Sequence, residues 1–248
     1  MDAGYDIVLS DFDGTIYHEG KIDPEVVEAF RREHEEGRRV GIVTGAGVDH
    51  VLDCLEETGA TEMLQYVDFI ATQSAAEFHT LENGEVTESI YLVTDEVRDL
   101  VAELHPRFEE ICGGSTFNWG GSLGYITGDD IERRDSIAKE LREEFSPYGL
   151  KVQTWATGVG ISPVTKYDGL DRYFTEHEGE IPVALALGDS ENDVPLFTFA
   201  KEHGGYAGQV GNGRDLDFPV DYKATAHAGA GVAEIIDHYR DMPDGYAL

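Results

Sequence analysis

The chain has 248 residues, of which 41% are hydrophobic, so it can fold around one large core or around a core with a smaller insert. Its 50 Asp and Glu residues outnumber its 18 Lys and Arg residues, which leaves a formal net charge of -32 at pH 7. Because such a charge repels nucleic acid and anionic lipid, we expect neither a nucleic-acid partner nor a membrane partner.

The first part of the chain alternates apolar strands with amphipathic helices. A strand over residues 5–10 is followed by a helix that begins at Asp23-Pro24 and ends at Gly37. The next predicted elements are a strand over 38–43, a helix over 48–58 and a strand over 66–72. Strands and helices that alternate at this spacing predict right-handed βαβ units and a parallel sheet.

The pattern changes near Gln73. Asn83-Gly84 predicts a hairpin turn between two short strands, and a helix over 95–105 is expected to end at Pro106. A second pair of short strands, a helix over 130–145 and a strand over 150–155 complete the segment. Two ββα units with a closing strand predict an inserted α+β domain over residues 73–156.

The strand-helix pattern then resumes to the C-terminal part. The predicted elements are a helix after Lys166, a buried strand over 181–187, a helix over 194–199, weak strands near Tyr206 and Tyr222, and a helix over 231–239. We therefore predict an α/β fold with a doubly wound parallel-sheet core. This core is discontinuous and consists of residues 1–72 and 157–248.

Two acidic clusters follow two of the predicted buried strands. Asp11 and Asp13 come directly after the first strand, and Asp189 and Asp193 come after the strand over 181–187. The carboxyl ends of parallel strands meet at one edge of the sheet, so the two clusters can face each other. Either cluster alone could be a solvated acidic turn, but together they predict a site for a hard divalent cation.

A hydroxyl and an ammonium group complete this predicted site. Thr44 follows the second strand, and Lys166 opens a helix. Alone, Thr44 could cap a helix and Lys166 could be a surface lysine. Beside the acidic clusters, they provide the hydrogen bonds and the positive charge that a transferring phosphoryl group needs.

These segments resemble, in their order and setting, the four motifs of the haloacid dehalogenase superfamily of phosphohydrolases: Asp11-Phe12-Asp13-Gly14-Thr15, Thr44, Lys166 and Gly188–Asp193. The insert between the second and third motifs resembles the C2-type cap of that superfamily. Residues 210–213 and 228–232 are similar to the C-terminal part of its Cof-like and sugar-phosphatase branches. The resemblance covers almost the whole chain and implies a Rossmann-like core with a mobile cap.

The resemblance also implies a role for each acid. Asp11 would attack phosphorus and form an aspartyl phosphate, and Asp13 would protonate the leaving group and then activate water. Mg²⁺ would be held by Asp11, Asp189 and the backbone carbonyl of Asp13, with Asp193 supporting the site from its edge.

The resemblance further implies which residues bind the phosphoryl group. Thr44 and Lys166 would hold its oxygens, and Gly14 lets the chain turn after the second acid. The expected phosphate-binding residues are Asp11, Gly14, Thr44, Gly45, Lys166 and Asn192.

The function implied is a Mg²⁺-dependent phosphomonoesterase that acts on a small phosphate ester, either a sugar phosphate or phosphoglycolate. An acid at Asp13 suits phosphate esters and excludes a haloacid, since dehalogenases lack it. Gln73-Ser74 replaces the Asn-Gly that is usual in this branch, and Ala46 stands where a basic residue is frequent. Both changes lie near the expected substrate entrance, so the sequence does not identify the substrate. A phosphomutase of the same superfamily is one alternative, and a phospho-aspartate signalling receiver is another.

Cysteine use and the N-terminal sequence bear on location. Cys54 and Cys112 lie far apart without metal-ligand spacing, which predicts small buried side chains in a reducing compartment. No basic segment precedes the first strand, and we expect a cytoplasmic protein. The sequence is compatible with a homo-oligomer. The nine histidines show no paired metal-ligand spacing, so no role is assigned to them.

The excess of acids predicts adaptation to molar salt. The acids are spread along the whole sequence, and 12 of the 18 basic residues are Arg. Salt screens the self-repulsion of such a surface, so we expect the Tm to rise between dilute and molar KCl. A thermal melt at both concentrations measures this, and an equal Tm would instead indicate an ordinary acidic protein.

Overall fold

The computed structural model describes residues 4–240. The strands in this range are β1 (Ile7–Ser10), β2 (Tyr17–His18), β3 (Lys21–Ile22), β4 (Arg39–Val43), β5 (Phe69–Thr72), β6 (Glu77–Glu82), β7 (Glu85–Tyr91), β8 (Phe117–Asn118), β9 (Leu123–Ile126), β10 (Lys151–Trp155), β11 (Gly158–Ser162), β12 (Ala184–Gly188), β13 (Tyr206–Gln209) and β14 (Tyr222–Lys223). The helices are α1 (Pro24–Glu35), α2 (Val48–Thr58), α3 (Asp95–Cys112), α4 (Ile131–Phe145), α5 (Lys166–Tyr173), α6 (Val194–Glu202) and α7 (Ala228–Arg240).

The main sheet has eight strands in the order β14-β13-β12-β1-β4-β5-β6-β7. The strands from β14 to β5 are parallel, and β6 and β7 are antiparallel to their neighbours. Alternate residues of β1 point to opposite faces: Val8 packs in one apolar cluster, and Ile7 and Leu9 pack in the other. Helices therefore cover both faces, and the predicted doubly wound α/β core is confirmed.

A second, smaller sheet has the strand order β10-β11-β9-β8 and is antiparallel. Helices α3 and α4 pack on one of its faces around Val101, Phe108, Leu141 and Phe145. We call this unit, residues 95–162, the cap. In the part of the chain that the structure describes, no helix is both long and apolar enough to cross a membrane.

The observed sheets differ from the sequence-predicted boundaries of 73 and 156 for the insert. Strands β6 and β7 pair with β5 and extend the main sheet, and Phe78 stacks on Tyr173 with 3.9 Å between ring centroids. The sequence of a hairpin shows that two strands pair with each other, but not which sheet they join. Strand β11 also belongs to the cap, and its glycines weakened its strand signal in the sequence.

The helix that we expected to end at Pro106 continues to Cys112. Its buried residues Val101, Phe108 and Cys112 lie on both sides of the proline. Packing of this face outweighs the cost of about 3 kcal/mol that a proline imposes inside a helix. The helix ends instead at Gly113, which adopts a left-handed conformation with a φ of 68°.

Candidate active site

The sequence-predicted site residues lie at the carboxyl edge of the main sheet. Because β12, β1 and β4 are neighbours, the residues that follow them, Asp189, Asp11 and Thr44, lie side by side. Lys166 is the first residue of α5. A capping box between Thr165 and Asp168 fixes where this helix begins and therefore where the Lys166 side chain enters the core.

Three buried carboxylates share this edge with one buried ammonium group. Oxygens of Asp11, Asp189 and Asp193 lie within 4.8 Å of one another. The Lys166 Nζ atom lies 2.5 Å from Asp11 Oδ1 and 2.7 Å from Asp193 Oδ1. One ammonium group cannot balance three carboxylates at this burial, so the donor set fits a divalent cation with oxygen ligands.

The pKa shifts have the same physical origin. Burial and the neighbouring Asp193 raise the pKa of Asp11 well above its ordinary value, although Lys166 opposes this shift. Burial and Asp193 also raise the pKa of Asp189 to about 7. Burial alone would lower the pKa of Lys166, but the two carboxylates that it contacts raise it above its ordinary value.

The contacts of Asp193 place it at the edge of this cluster. One of its oxygens accepts a hydrogen bond from Lys166, and the other accepts the backbone N–H groups of Asp189 and Ser190, at 2.9 and 3.0 Å. Asp193 therefore orders the loop after β12 and positions Lys166. For Asp189, Oδ1 accepts a hydrogen bond from the Ser190 hydroxyl at 3.0 Å, and Oδ2 faces Gly14.

Gly14 leaves the space that Asp189 occupies. Its φ is 87°, and a Cβ at this position would lie 2.6 Å from Asp189 Oδ2. Asn212 then holds the turn, since its Nδ2 donates to the Gly14 carbonyl at 2.7 Å and its Oδ1 accepts from Ala228 N at 2.7 Å. No spacing in the sequence indicates this bridge between residues 198 positions apart.

Asp13 lies apart from the buried cluster and faces the open side of the site. Its Oδ1 accepts a hydrogen bond from His50 Nε2 at 2.9 Å, which raises the pKa of His50. The His50 ring meets the rings of Phe12 and Tyr17 edge-on, at centroid distances of 6.2 and 6.4 Å. His50 was missed in the sequence. The available signal was its position in the first turn of the helix after β4, beside β1.

We expect His50 to position the carboxyl group of Asp13. His50→Ala removes a hydrogen bond to a charged group, which should lower kcat about tenfold with little change in KM. His50→Gln, which can present its amide N–H to the same carboxylate, should restore most of that loss. Steady-state kinetics of both variants test this. If His50→Ala lowered kcat equally in a background already carrying Asp13→Asn, the two side chains would not act together.

The remaining sequence-predicted residues lie on the same side of the site. Thr44 is buried, and its Oγ1 accepts a hydrogen bond from Ala46 N at 3.0 Å, so its hydroxyl proton stays available to a ligand. Asn192 Oδ1 lies 2.6 Å from the Ser190 hydroxyl oxygen, whose single proton is shared between Asn192 and Asp189. These residues border a cavity of about 470 Å³ between the sheet edge and the cap, together with others of the predicted set: Asp11, Asp13, Gly14, Gly45 and Asp189.

The turn after β5 lies in the core and contacts the cap. Gln73, Ser74 and Ala75 all have positive φ, at 52°, 61° and 67°, which is costly for residues other than glycine. The Ser74 hydroxyl donates to the side-chain carbonyl of Gln153 in the cap at 2.9 Å. The residues that depart from the family pattern thus form a contact between the two units.

Comparison with known proteins bears on the fold. No protein-family model matches the chain, and no curated protein matches it in sequence. Among solved structures, it is similar to a HAD/COF-like hydrolase from Plasmodium vivax, with a TM-score of 0.71 and 18% identity over 98% of each chain. It is also similar to a haloacid dehalogenase-like hydrolase from Bacteroides thetaiotaomicron, with a TM-score of 0.66, 18% identity, and coverage of 94% of this chain and 99% of the other.

A third similar structure is the sucrose-phosphatase from Synechocystis sp. PCC6803 in complex with sucrose and phosphate. Its TM-score is 0.64 at 16% identity, and the match covers 94% of this chain and 97% of the other. At these identities the likeness establishes the fold. The chain has the fold of the haloacid dehalogenase-like hydrolases, over nearly the full length of both partners in each comparison.

Proposed function

We propose that the protein is a Mg²⁺-dependent phosphomonoester hydrolase of the haloacid dehalogenase superfamily, with a small phosphorylated metabolite as substrate. The observation that carries this proposal is the buried Asp11 carboxylate, which contacts Lys166 and neighbours Asp189 at the base of a cavity. The fold supports it, because similar structures include the sucrose-phosphatase and the C-terminal domain of a trehalose-6-phosphate phosphatase from C. albicans. Sugar phosphates and phosphoglycolate are the substrate classes expected from the sequence.

In the proposed first step, an oxygen of Asp11 attacks phosphorus, and the bond between phosphorus and the ester oxygen breaks. Asp13, which borders the cavity, donates its proton to the leaving alkoxide. Lys166 and the Thr44 hydroxyl hold the phosphoryl oxygens, where negative charge accumulates. The product of this step is an alcohol and a phosphoryl group on Asp11.

In the second step, Asp13 takes a proton from a water molecule that attacks the same phosphorus. The bond between phosphorus and Asp11 breaks, which releases inorganic phosphate and regenerates both carboxyl groups. Asp13 can serve both steps because it lies outside the buried ion cluster and its side chain is 46% exposed, with a hydrogen bond to His50.

The residues that would hold Mg²⁺ are Asp11, Asp189 and the backbone carbonyl of Asp13, with Asp193 at the edge. Three carboxylates beside one lysine fit such an ion. When bound, Mg²⁺ supplies positive charge that offsets the carboxylates and the phosphoryl oxygens.

A screen of phosphorylated metabolites tests the proposal. The protein is assayed for phosphate release in high KCl, with and without Mg²⁺, and p-nitrophenyl phosphate serves as a generic ester. We expect release that requires Mg²⁺ and is lost in Asp11→Asn. Failure to hydrolyse every ester, including the generic one, would contradict the proposal.

Product analysis of the same reactions separates the alternatives. Transfer of the phosphoryl group to a sugar hydroxyl, without free phosphate, would identify a phosphomutase. A receiver is disfavoured by the inserted cap, which a receiver does not need, and a long-lived phosphorylated protein would be required to support it. We also propose a reducing, cytoplasmic location, since Cys54 and Cys112 are both buried and unpaired.

A further inference from the structure

The cap contributes a wall of aromatic rings to the cavity. Phe117, Trp119 and Trp155 all border it. The ring centroids of Phe117 and Trp119 lie 4.3 Å apart, and those of Phe117 and Trp155 lie 6.4 Å apart. Trp119 also reaches the core, since a Cβ on Gly47 would lie 3.5 Å from its Cδ1 atom. The three rings therefore form one continuous apolar surface above the sheet edge.

Glycines in the cap sheet let these rings lie against the backbone. A Cβ on Gly124 would lie 2.0 Å from a ring carbon of Phe117, and one on Gly158 would lie 2.5 Å from the Trp155 ring. The residues next to these glycines, Tyr125 and Val159, pack in the apolar interior of the cap. The cavity-facing side of the cap sheet is thus built to display aromatic rings.

The cavity offers no basic side chain beyond the phosphoryl site. Among the described residues, 4–240, those that border it include no Lys or Arg, and their carboxylates are Asp11, Asp13 and Asp189. Two histidines also border it: His50 is bonded to Asp13, and His18 is 42% exposed and lies 4.0 Å from the exposed Glu19. Outside the phosphoryl site, a second anionic group on a substrate would therefore find no lysine or arginine side chain to pair with.

Two arginines next to the cavity wall are already paired. Arg134 donates to the Trp155 carbonyl at 3.1 Å, and its guanidinium lies 2.9 Å from Asp135 and 3.4 Å from Glu191. Arg98 lies 3.4 Å from Glu77 and stacks on the Tyr91 ring, although its Nη2 atom makes no hydrogen bond among the described residues. Neither borders the cavity.

The cavity does offer uncharged polar groups. Ser122 borders it and is 4% exposed, and its buried hydroxyl group has no hydrogen-bond partner among the described residues. A buried hydroxyl without a partner costs stability unless a ligand or water completes its hydrogen bonds. Ser122 can both donate to and accept from a hydroxyl group of a substrate.

We infer that the substrate is a monophosphate ester whose alcohol portion carries no negative charge. This inference rests on the proposed function and narrows its substrate class. The C–H face of such an alcohol packs on the aromatic wall, and a hydroxyl group bonds to Ser122. A carboxylate or a second phosphate loses its hydration without gaining a cation, and the faces of aromatic rings are themselves electron-rich. Phosphoglycolate and sugar bisphosphates are therefore poor substrates.

Matched esters test the inference. Glucose 1-phosphate is compared with glucuronic acid 1-phosphate, and 2-hydroxyethyl phosphate with phosphoglycolate; within each pair one carboxylate is the main difference. Each ester is assayed as a substrate and as a competitor of p-nitrophenyl phosphate. We expect the uncharged member to have a kcat/KM, or an affinity as competitor, on the order of a hundredfold higher. Equal or better use of the charged member of either pair would overturn the inference.

Two lysine variants sharpen the test. Ile126 borders the cavity and is 53% exposed, so Ile126→Lys brings an ammonium group to it without disturbing the core. We expect the preference for the uncharged ester to shrink about tenfold. Ile131→Lys is the matched control, because Ile131 is 48% exposed on α4 and does not border the cavity. An equal effect of both variants would count against the inference.

The failure of the proposed function gives a different result. If p-nitrophenyl phosphate is not hydrolysed at all, the proposed activity is wrong, and so is the inference about the alcohol portion of the substrate. If that ester is hydrolysed in an Asp11-dependent reaction and the charged esters are preferred, only the inference is wrong.

Discussion

Asp11→Asn is expected to lower kcat by about 10⁴-fold or more, because an amide cannot replace the carboxylate oxygen that attacks phosphorus. The substitution preserves the size of the side chain, and KM should change little because Lys166 and Thr44 still hold the phosphoryl group. Steady-state phosphate release in high KCl with Mg²⁺ measures both constants.

Asp99→Asn provides the matched control, since Asp99 is exposed on α3 in the cap and far in sequence from the acidic clusters. Its kinetic constants should equal those of the unmodified protein. Thermal melts of both variants establish that they are folded. If Asp11→Asn kept more than a tenth of the original kcat, another group would have to attack phosphorus.

Lys166→Met is expected to lower both activity and stability. Lys166 is fully buried and is the ammonium group that contacts Asp11 and Asp193. Removing it leaves buried carboxylates without their partner, which should decrease the free energy of unfolding by about 3–5 kcal/mol in the absence of Mg²⁺. Loss of charge at the phosphoryl oxygens should lower kcat by about 10²–10³-fold.

The double variant Lys166→Met/Asp193→Asn separates these two effects. Removing one uncompensated carboxylate should restore part of the stability, while kcat stays low because the ammonium group is still missing. Urea unfolding in high KCl and steady-state kinetics measure the two quantities. Equal stability of Lys166→Met and the unmodified protein would show that Lys166 is not the main counter-charge of the cluster.

Much of the core could be predicted because its signals are local. Apolar strands such as residues 181–187, followed by acidic turns, indicate buried parallel strands whose carboxyl ends share one edge. The positions of Asp11, Thr44 and Asp189 in the fold follow from that rule alone. Helices α1 and α2 begin where Pro24 and Val48 were expected to start them.

The features that could not be predicted depend on contacts between distant parts of the chain. The hairpin of β6 and β7 joins the main sheet because Phe78 packs against Phe69 and Tyr173, residues that its own sequence does not reveal. Pro106 stays inside α3 for a similar reason, since packing on both sides of it decides the outcome.

The unpredicted parts of the candidate site have the same origin. The bond between His50 and Asp13 joins side chains 37 residues apart, and the Asn212 bridge to Gly14 spans 198 residues. Neither pair has a spacing that signals contact. The aromatic wall likewise joins Phe117 in β8 and Trp119 directly after it to Trp155 in β10. The roles of the site residues and the salt dependence stay predictions until they are measured.

The most direct measurement is the identification of the phosphorylated residue during turnover. The protein is mixed with a hydrolysed ester, quenched with acid before the steady state, digested, and analysed by mass spectrometry. We predict a phosphoryl group that is sensitive to hydroxylamine, as an acyl phosphate is, on the peptide that contains Asp11, and none on this peptide in Asp11→Asn. A phosphoryl group on another residue, or a burst of alcohol release without any phosphorylated protein, would contradict the account.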